Sequence, residues 1–134
     1  MPAQTGTDER PVTVLAVDDQ KTFLRAARTL IAATPGFEQV GEAHSGEEAL
    51  ALAADLNPDF VLVDVRMPGM DGIETARRLM AADSSAMVVL VSLDEVPELP
   101  SAVTSLGAAA HVRKQDLSAA TLRDLWAAHG RGDD

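Results

Sequence analysis

The sequence predicts an α/β domain with a five-stranded parallel sheet and helices on both of its faces. Short aliphatic runs alternate five times with longer segments in which apolar residues recur at helical spacing. The runs are apolar at most positions, which is typical of strands that are covered on both faces of a parallel sheet. Each intervening segment is long enough for a right-handed crossover, so successive strands enter the sheet in the same direction.

The first half of the chain contains two strands and two helices. The first strand covers Val12–Val17, and the second covers Phe37–Ala43. A helix between them ends at Pro35-Gly36 and has an apolar face made of Phe23, Leu24, Ala27, Leu30 and Ile31. Ser45 and Glu48 form a capping box, whose hydroxyl and carboxylate can satisfy amide donors where the second helix begins. The apolar face of that helix contains Ala49, Leu52, Ala53 and Leu56.

The middle of the chain repeats this pattern. The third strand, Phe60–Val63, closes on Asp64 and is followed by the turn Arg66–Met70. Asp71 caps the next helix, whose apolar face contains Ile73, Ala76, Leu79 and Met80. The fourth strand, Met87–Val91, ends at Ser92.

The last quarter of the chain adds one more strand. A short helix begins near Pro100, and the fifth strand covers Gly107–Val112. Lys114 lies just beyond that strand. Ser118 caps a last helix that presents Leu122, Leu125 and Trp126.

Composition excludes several classes of protein. The 134 residues, 46% hydrophobic and 24% charged, predict one globular domain over residues 11–130, a flexible N-terminal segment over 1–10 and a short tail over 131–134. The absence of cysteine excludes disulfide scaffolds and thiolate metal sites. The net charge of −10 disfavours direct binding to nucleic acid or to anionic membranes. Without a secretory signal or a membrane-spanning run, we expect a cytoplasmic protein.

Polar residues follow four of the predicted strands, at the edge of the sheet where open parallel sheets bind ligands. They are Asp18, Asp19, Asp64, Ser92 and Lys114. Three neighbouring carboxylates repel one another unless a cation lies between them, and an oxygen-only ligand set suits Mg²⁺. A carboxylate nucleophile, a divalent ion, a lysine and a hydroxyl together suit phosphoryl transfer to an aspartate.

The order of these motifs resembles the receiver domain of two-component response regulators. The matching landmarks are the acidic pair Asp18-Asp19, the segment from Val61 to Gly72 around Asp64, then Ser92, Gly107 and Lys114. The resemblance covers residues 12 to 129. It implies a flavodoxin-like (βα)5 fold with strand order 2-1-3-4-5. It also implies a switch, rather than a metabolic enzyme, that catalyses only its own phosphorylation and dephosphorylation.

The resemblance assigns a role to each candidate site residue. Asp64 is implied to be the phosphoacceptor. Ser92 and Lys114 are implied to contact phosphoryl oxygens. The implied Mg²⁺ ligands are Asp18, Asp19, Asp64 and the backbone carbonyl of Arg66.

The implied partners are a sensor histidine kinase or phosphotransfer protein as phosphoryl donor, and a downstream protein or effector domain. A homodimer through the face of the fourth helix, fifth strand and last helix is a further implied possibility. His111 stands where many receivers have a tyrosine or phenylalanine switch ring, and we expect it to be a partly buried strand residue. Gln115 follows the lysine where proline is common, a pattern that resembles receivers preceding helix-turn-helix effector domains.

Three other functions stay open. A haloacid-dehalogenase-type phosphohydrolase needs an acid two residues after its nucleophile, and Arg66 occupies that position. A phosphorylation-independent interaction module is favoured only by His111 and Gln115. Nucleotide binding is disfavoured because residues 19–22 contain no glycine-rich phosphate loop.

Overall fold

The protein folds as a three-layer α/β sandwich. The computed structural model describes residues 10–82, 86–93 and 110–129. All five described strands are parallel and are ordered β2-β1-β3-β4-β5, which confirms the expected fold and strand order. The strands are β1 (Val12–Val17), β2 (Phe37–Ala43), β3 (Phe60–Asp64), β4 (Met87–Ser92) and β5 (Ala110–Arg113). The helices are α1 (Lys21–Ala32), α2 (Gly46–Leu56), α3 (Gly72–Ala82) and α4 (Ala119–His129).

Strand β1 shows how the sheet separates two cores. Leu15 and Val17 belong to a cluster that includes residues of α2 and α3. Val14 and Ala16 belong to a second cluster that includes residues of α1 and α4. Because successive side chains of a strand point to opposite faces, an apolar strand is buried on both sides and fixes the middle layer.

The three predicted helix starts are confirmed by their capping contacts. The Ser45 hydroxyl accepts a hydrogen bond from the Glu48 N–H at 3.1 Å, and the Asp71 carboxylate accepts one from the Glu74 N–H at 2.9 Å. The Ser118 hydroxyl accepts one from the Thr121 N–H at 3.1 Å. These bonds satisfy amides that have no partner inside their own helices, so each helix begins at a defined residue at the site edge of the sheet.

Two details differ from the sequence predictions. Leu56, expected on the apolar face of α2, is 38% exposed, because the helix ends there and Asn57 turns away with a φ of 48°. Strand β5 ends at Arg113, one residue later than predicted. The predicted helix near Pro100, residues 107–109 of the predicted fifth strand, residues 1–9 and the tail 131–134 lie outside the described residues. No helix in the described ranges has the length and hydropathy needed to cross a bilayer.

Candidate functional site

The strand ends converge as expected. Asp18 follows β1, where its N–H still bonds the carbonyl of Ala43, and Asp64 ends β3 beside Val91 of β4. Asp18, Asp19 and Asp64 each place a carboxylate oxygen within 4.8 Å of the other two. The parallel sheet therefore collects at one edge acids that are 46 residues apart in the sequence, as the positions of Asp18 and Asp64 show.

The two adjacent aspartates of the acidic pair have different surroundings. Asp18 is completely buried, and its Oδ1 accepts a hydrogen bond of 2.8 Å from the Gln20 N–H. Asp19 is exposed. One acid is thus part of the packed interior, whereas the other lies at the mouth of the site in contact with solvent.

Lys114 reaches into this cluster from the segment after β5. Its ammonium group lies 2.6 Å from Asp18 Oδ2 and 3.9 Å from Asp64 Oδ1, and its side chain is 9% exposed. The short distance to Asp18 Oδ2 makes this contact a close ion pair. The ammonium group also lies 4.4 Å from the centre of the Phe23 ring. An aromatic ring beneath the ammonium stabilises its charge and holds it at the site.

The carboxyl group of Asp64 has a strongly perturbed pKa. Burial raises the pKa of Asp64 to about 6, and the negative charges of Asp18 and Asp19 act in the same direction. The ammonium of Lys114 and a hydrogen bond from the Arg66 backbone oppose the increase in pKa. Lys114 and the Arg66 backbone thus offset only part of the cost of a negative charge on Asp64.

Ser92 and Arg66 complete the predicted set. Ser92 ends β4 with 4% exposure, next to the strand that ends in Asp64. Arg66 lies in the loop after β3, where its side chain is exposed and its backbone contacts Asp64. All the predicted site residues therefore lie at the same edge of the sheet.

Two contacts of the site were not predicted. The Phe23 ring beneath Lys114 has no sequence signal beyond its place in the apolar period of α1. Ser92 Oγ lies 2.7 Å from Nε2 of His111. His111 is half-buried, as expected, but the sequence did not indicate that its ring would reach the predicted phosphoryl-binding hydroxyl.

The start of α3 approaches Asp64 so closely that a side chain at position 72 would not fit. A Cβ added to Gly72 would overlap the carbonyl oxygen of Asp64 and the Cα of Val65. The Gly72 N–H bonds the Val65 carbonyl at 2.9 Å. Gly72 thereby allows the start of α3 to support the loop that begins at Asp64.

The fold and this edge of the sheet define a receiver-like signalling domain. Residues 14–125 match the family model of the response regulator receiver domain. The chain therefore belongs to the response regulator receiver domain family, whose standard function is that of a phosphorylation switch and whose members are generally not enzymes themselves.

The chain is similar to receiver segments of known regulators. Response regulator GacA of Pseudomonas viridiflava is 38% identical over 103 residues, which are 77% of this chain and 48% of that protein. The nitrate/nitrite response regulator protein NarL of Escherichia coli K12 is 36% identical over 92 residues, 69% of this chain and 43% of NarL. This chain thus spans about half the length of the curated relatives it matches.

A solved structure supports the same assignment. The signal receiver domain of the response regulator NarL from Mycobacterium tuberculosis superposes with a TM-score of 0.76 at 30% sequence identity. The superposition covers 87% of this chain and 97% of that chain. The match therefore extends over a whole receiver domain.

Proposed function

We propose that this receiver domain is a Mg²⁺-dependent switch in which Asp64 accepts the phosphoryl group. The convergence of four charged side chains at the strand ends carries the proposal. Asp18, Asp19 and Asp64 place oxygens within 4.8 Å of one another, and Lys114 contacts Asp18 at 2.6 Å. A nucleophilic oxygen, oxygen ligands for a cation and a fixed ammonium are the groups that phosphoryl transfer needs.

The charge of the cluster suits a divalent cation. Three carboxylates against one ammonium leave a net charge of about −2 in a partly buried site. We infer that Asp18, Asp19, Asp64 and the Arg66 carbonyl hold Mg²⁺, since hard oxygen donors and retained water are typical of its sites. When bound, Mg²⁺ supplies positive charge that offsets charge developing on a transferred phosphoryl group.

The proposed reaction forms an acyl phosphate. An Asp64 oxygen attacks the phosphorus of a phosphohistidine, the P–N bond breaks, and the donor imidazole keeps the electron pair and takes up a proton. Lys114, already 3.9 Å from Asp64 Oδ1, can pair with a phosphoryl oxygen, and the Ser92 hydroxyl donates to another. In the second half of the cycle, water attacks the phosphorus and the P–O bond to Asp64 breaks. Asp64 leaves as the carboxylate, and inorganic phosphate and a proton are released.

The proposed partners are those that a receiver switch requires. A sensor histidine kinase or phosphotransfer protein supplies the phosphoryl group, and an effector domain or separate protein reads the result. The phosphoryl group adds nearly two negative charges, which change the balance of charge and hydrogen bonding at the edge that β4 and β5 share. A homodimer would use β5 and α4 together with the predicted helix near Pro100.

The test is chemical modification by a small phosphoryl donor. The protein is incubated with acetyl phosphate, with Mg²⁺ or with EDTA, and its intact mass is measured. We expect the mass of one added phosphoryl group in the presence of Mg²⁺ only, and none in Asp64→Asn. Asp55→Asn is the matched control, because Asp55 is an exposed aspartate of α2 away from the sheet edge.

An unmodified wild-type protein, or equal modification of Asp64→Asn, would contradict the proposal. Either result would favour the phosphorylation-independent interaction module. Modification that persists in EDTA would instead remove Mg²⁺ from the proposed mechanism while leaving Asp64 as the acceptor.

A further inference from the structure

The contact between Ser92 and His111 connects the candidate site to the edge strand β5. In the β4–β5 register, His111 is opposite Leu90, so its side chain lies on the same face as Leu90 and Ser92. The ring then reaches along the strand to Ser92, where Nε2 and Oγ are 2.7 Å apart. This is hydrogen-bonding distance, and the hydroxyl is almost completely buried.

A hydroxyl has one hydrogen to donate, and a neutral imidazole has one N–H and one bare nitrogen. Burial lowers the pKa of His111, which favours the neutral ring. Two arrangements of the bond are then possible. Either Ser92 donates its hydrogen to a bare Nε2, or an Nε2–H donates to the Ser92 oxygen. Only the second arrangement leaves the serine hydrogen for another acceptor.

We propose that His111 is a positioning residue for the phosphoryl-binding hydroxyl, and that the phosphorylated state requires its Nε2–H form. The inference rests on the proposed function, in which Ser92 donates its hydrogen to a phosphoryl oxygen. His111 then donates to Ser92 and completes a chain from the phosphoryl group through Ser92 to β5. A phenylalanine ring at position 111 could fill the same space but could not donate this bond.

The exchange between the two forms needs no further reactant. The ring loses the Nδ1 proton to water and gains one at Nε2, so the net charge of the protein does not change. The side chain of His111 is only half-buried, which gives water access for this exchange. The position of the ring proton thereby reports whether Ser92 gives its hydrogen to His111 or accepts one from it.

The test uses beryllofluoride with Mg²⁺ as the probe of the phosphorylated state. We expect His111→Phe to weaken beryllofluoride binding roughly tenfold, as the loss of one hydrogen bond from an aligned donor predicts. Ser92→Ala should weaken it to a similar extent, and the double variant should bind no more weakly than Ser92→Ala. Such non-additivity identifies two residues that act through one contact. His111→Gln, whose amide can donate, should recover most of the affinity.

A measurement on the wild-type protein complements the variants. Nitrogen-15 NMR of the His111 ring in the presence of beryllofluoride should show a protonated Nε2 and a bare Nδ1. His44 is the matched control, since it is an exposed histidine whose Nδ1 lies 3.2 Å from Glu48. His44→Phe should bind beryllofluoride as tightly as the wild type.

Three results would overturn the inference. The first is that His111→Phe binds beryllofluoride as tightly as the wild type. The second is that the losses of affinity in His111→Phe and Ser92→Ala multiply in the double variant. The third is that Nε2 of His111 carries no proton when beryllofluoride is bound. In each case Asp64-dependent binding of beryllofluoride would still support the proposed function. If the wild type and Asp64→Asn fail alike to bind beryllofluoride, the proposed function fails and this inference fails with it.

Discussion

Two aspartates at opposite ends of strand β3 have opposite environments. Asp59 precedes the strand, and its Oδ2 accepts hydrogen bonds from the N–H and the hydroxyl of Thr13 at 3.0 and 3.1 Å. The Asp59 N–H in turn donates to the Thr13 hydroxyl at 3.0 Å. Asp64 ends the strand among other carboxylates, and burial raises its pKa to about 6. The Asp59 carboxylate at the start of the strand is hydrogen-bonded by Thr13. The Asp64 carboxylate at the end lies where burial and like charges disfavour its ionised form.

Under the proposed function, this difference separates a structural acid, Asp59, from a reactive one, Asp64. Hydrogen-bond donors around Asp59 stabilise its position and connect β1 to the start of β3. At Asp64, burial and the neighbouring aspartates disfavour ionisation more than Lys114 favours it, which lowers stability but leaves oxygens available to a cation and an electrophile. The arrangement is consistent with the general finding that perturbed ionisable groups cluster at functional sites.

The first prediction has the largest expected effect on stability, and it concerns the space beside Asp64. Gly72→Ala places a methyl group against the Asp64 carbonyl and the Val65 Cα, so the backbone of the loop after β3 or of α3 has to move. We expect a loss of roughly 3 kcal/mol in the free energy of unfolding, the upper range for overpacking. Modification of Asp64 by acetyl phosphate should also fall at temperatures where the variant is folded.

Gly69→Ala provides the matched control for this change. Gly69 has a φ of 74° and open space around the position of a Cβ, so alanine there introduces backbone strain without overlap. We expect a loss of about 1 kcal/mol from that strain, with Asp64 modified normally. Equal stability losses in both variants, measured by urea denaturation, would show that close approach to Asp64 is not what requires glycine at position 72.

The sequence predicted the described strands closely, and it predicted which polar residues meet at one edge of the sheet. Unbroken apolar runs mark the strands because both faces of the sheet are covered, and hydroxyl or carboxylate caps at Ser45, Asp71 and Ser118 mark where helices begin. The strand order came from the resemblance to receiver domains. The convergence of Asp18 and Asp64 then followed, since parallel strands end at the same edge.

The contacts within the site were harder to predict because they depend on orientation. The sequence treats Asp18 and Asp19 as a pair, whereas alternation at the strand end buries one and exposes the other. The contact between His111 and Ser92 depends on the β4–β5 register, which the local residues do not determine. Glu48 similarly accepts from the His44 N–H at 2.6 Å, one residue before the predicted capping partner. Its carboxylate therefore satisfies an amide, although not that of Ser45.

The second prediction concerns the charge of the reactive acid without metal. Because the pKa of Asp64 is higher in the folded protein than its ordinary value, protonation favours the folded state. This contribution to stability is complete below about pH 4 and is lost as the pH rises through about 6. Asp64→Asn should therefore match the wild type near pH 4 and exceed it by about 2 kcal/mol at pH 8, in EDTA.

The measurement is urea denaturation of both proteins across this pH range. Saturating Mg²⁺ should reduce the difference at pH 8, since the cation stabilises the ionised carboxylate of the wild type. A constant difference between pH 4 and pH 8 would contradict the assignment of the raised pKa to Asp64.

The third prediction concerns Asp59, the acid at the other end of β3. Asp59→Ala removes the acceptor of two hydrogen bonds from Thr13 in a partly buried position, so donors at the start of the sheet lose their partner. We expect a loss of about 2 kcal/mol in the free energy of unfolding, a sign opposite to that of Asp64→Asn at pH 8. Modification by acetyl phosphate should reach the wild-type extent, because β3 separates the two ends. A stable Asp59→Ala protein that takes up no phosphoryl group would show instead that both ends of the strand act on the same site.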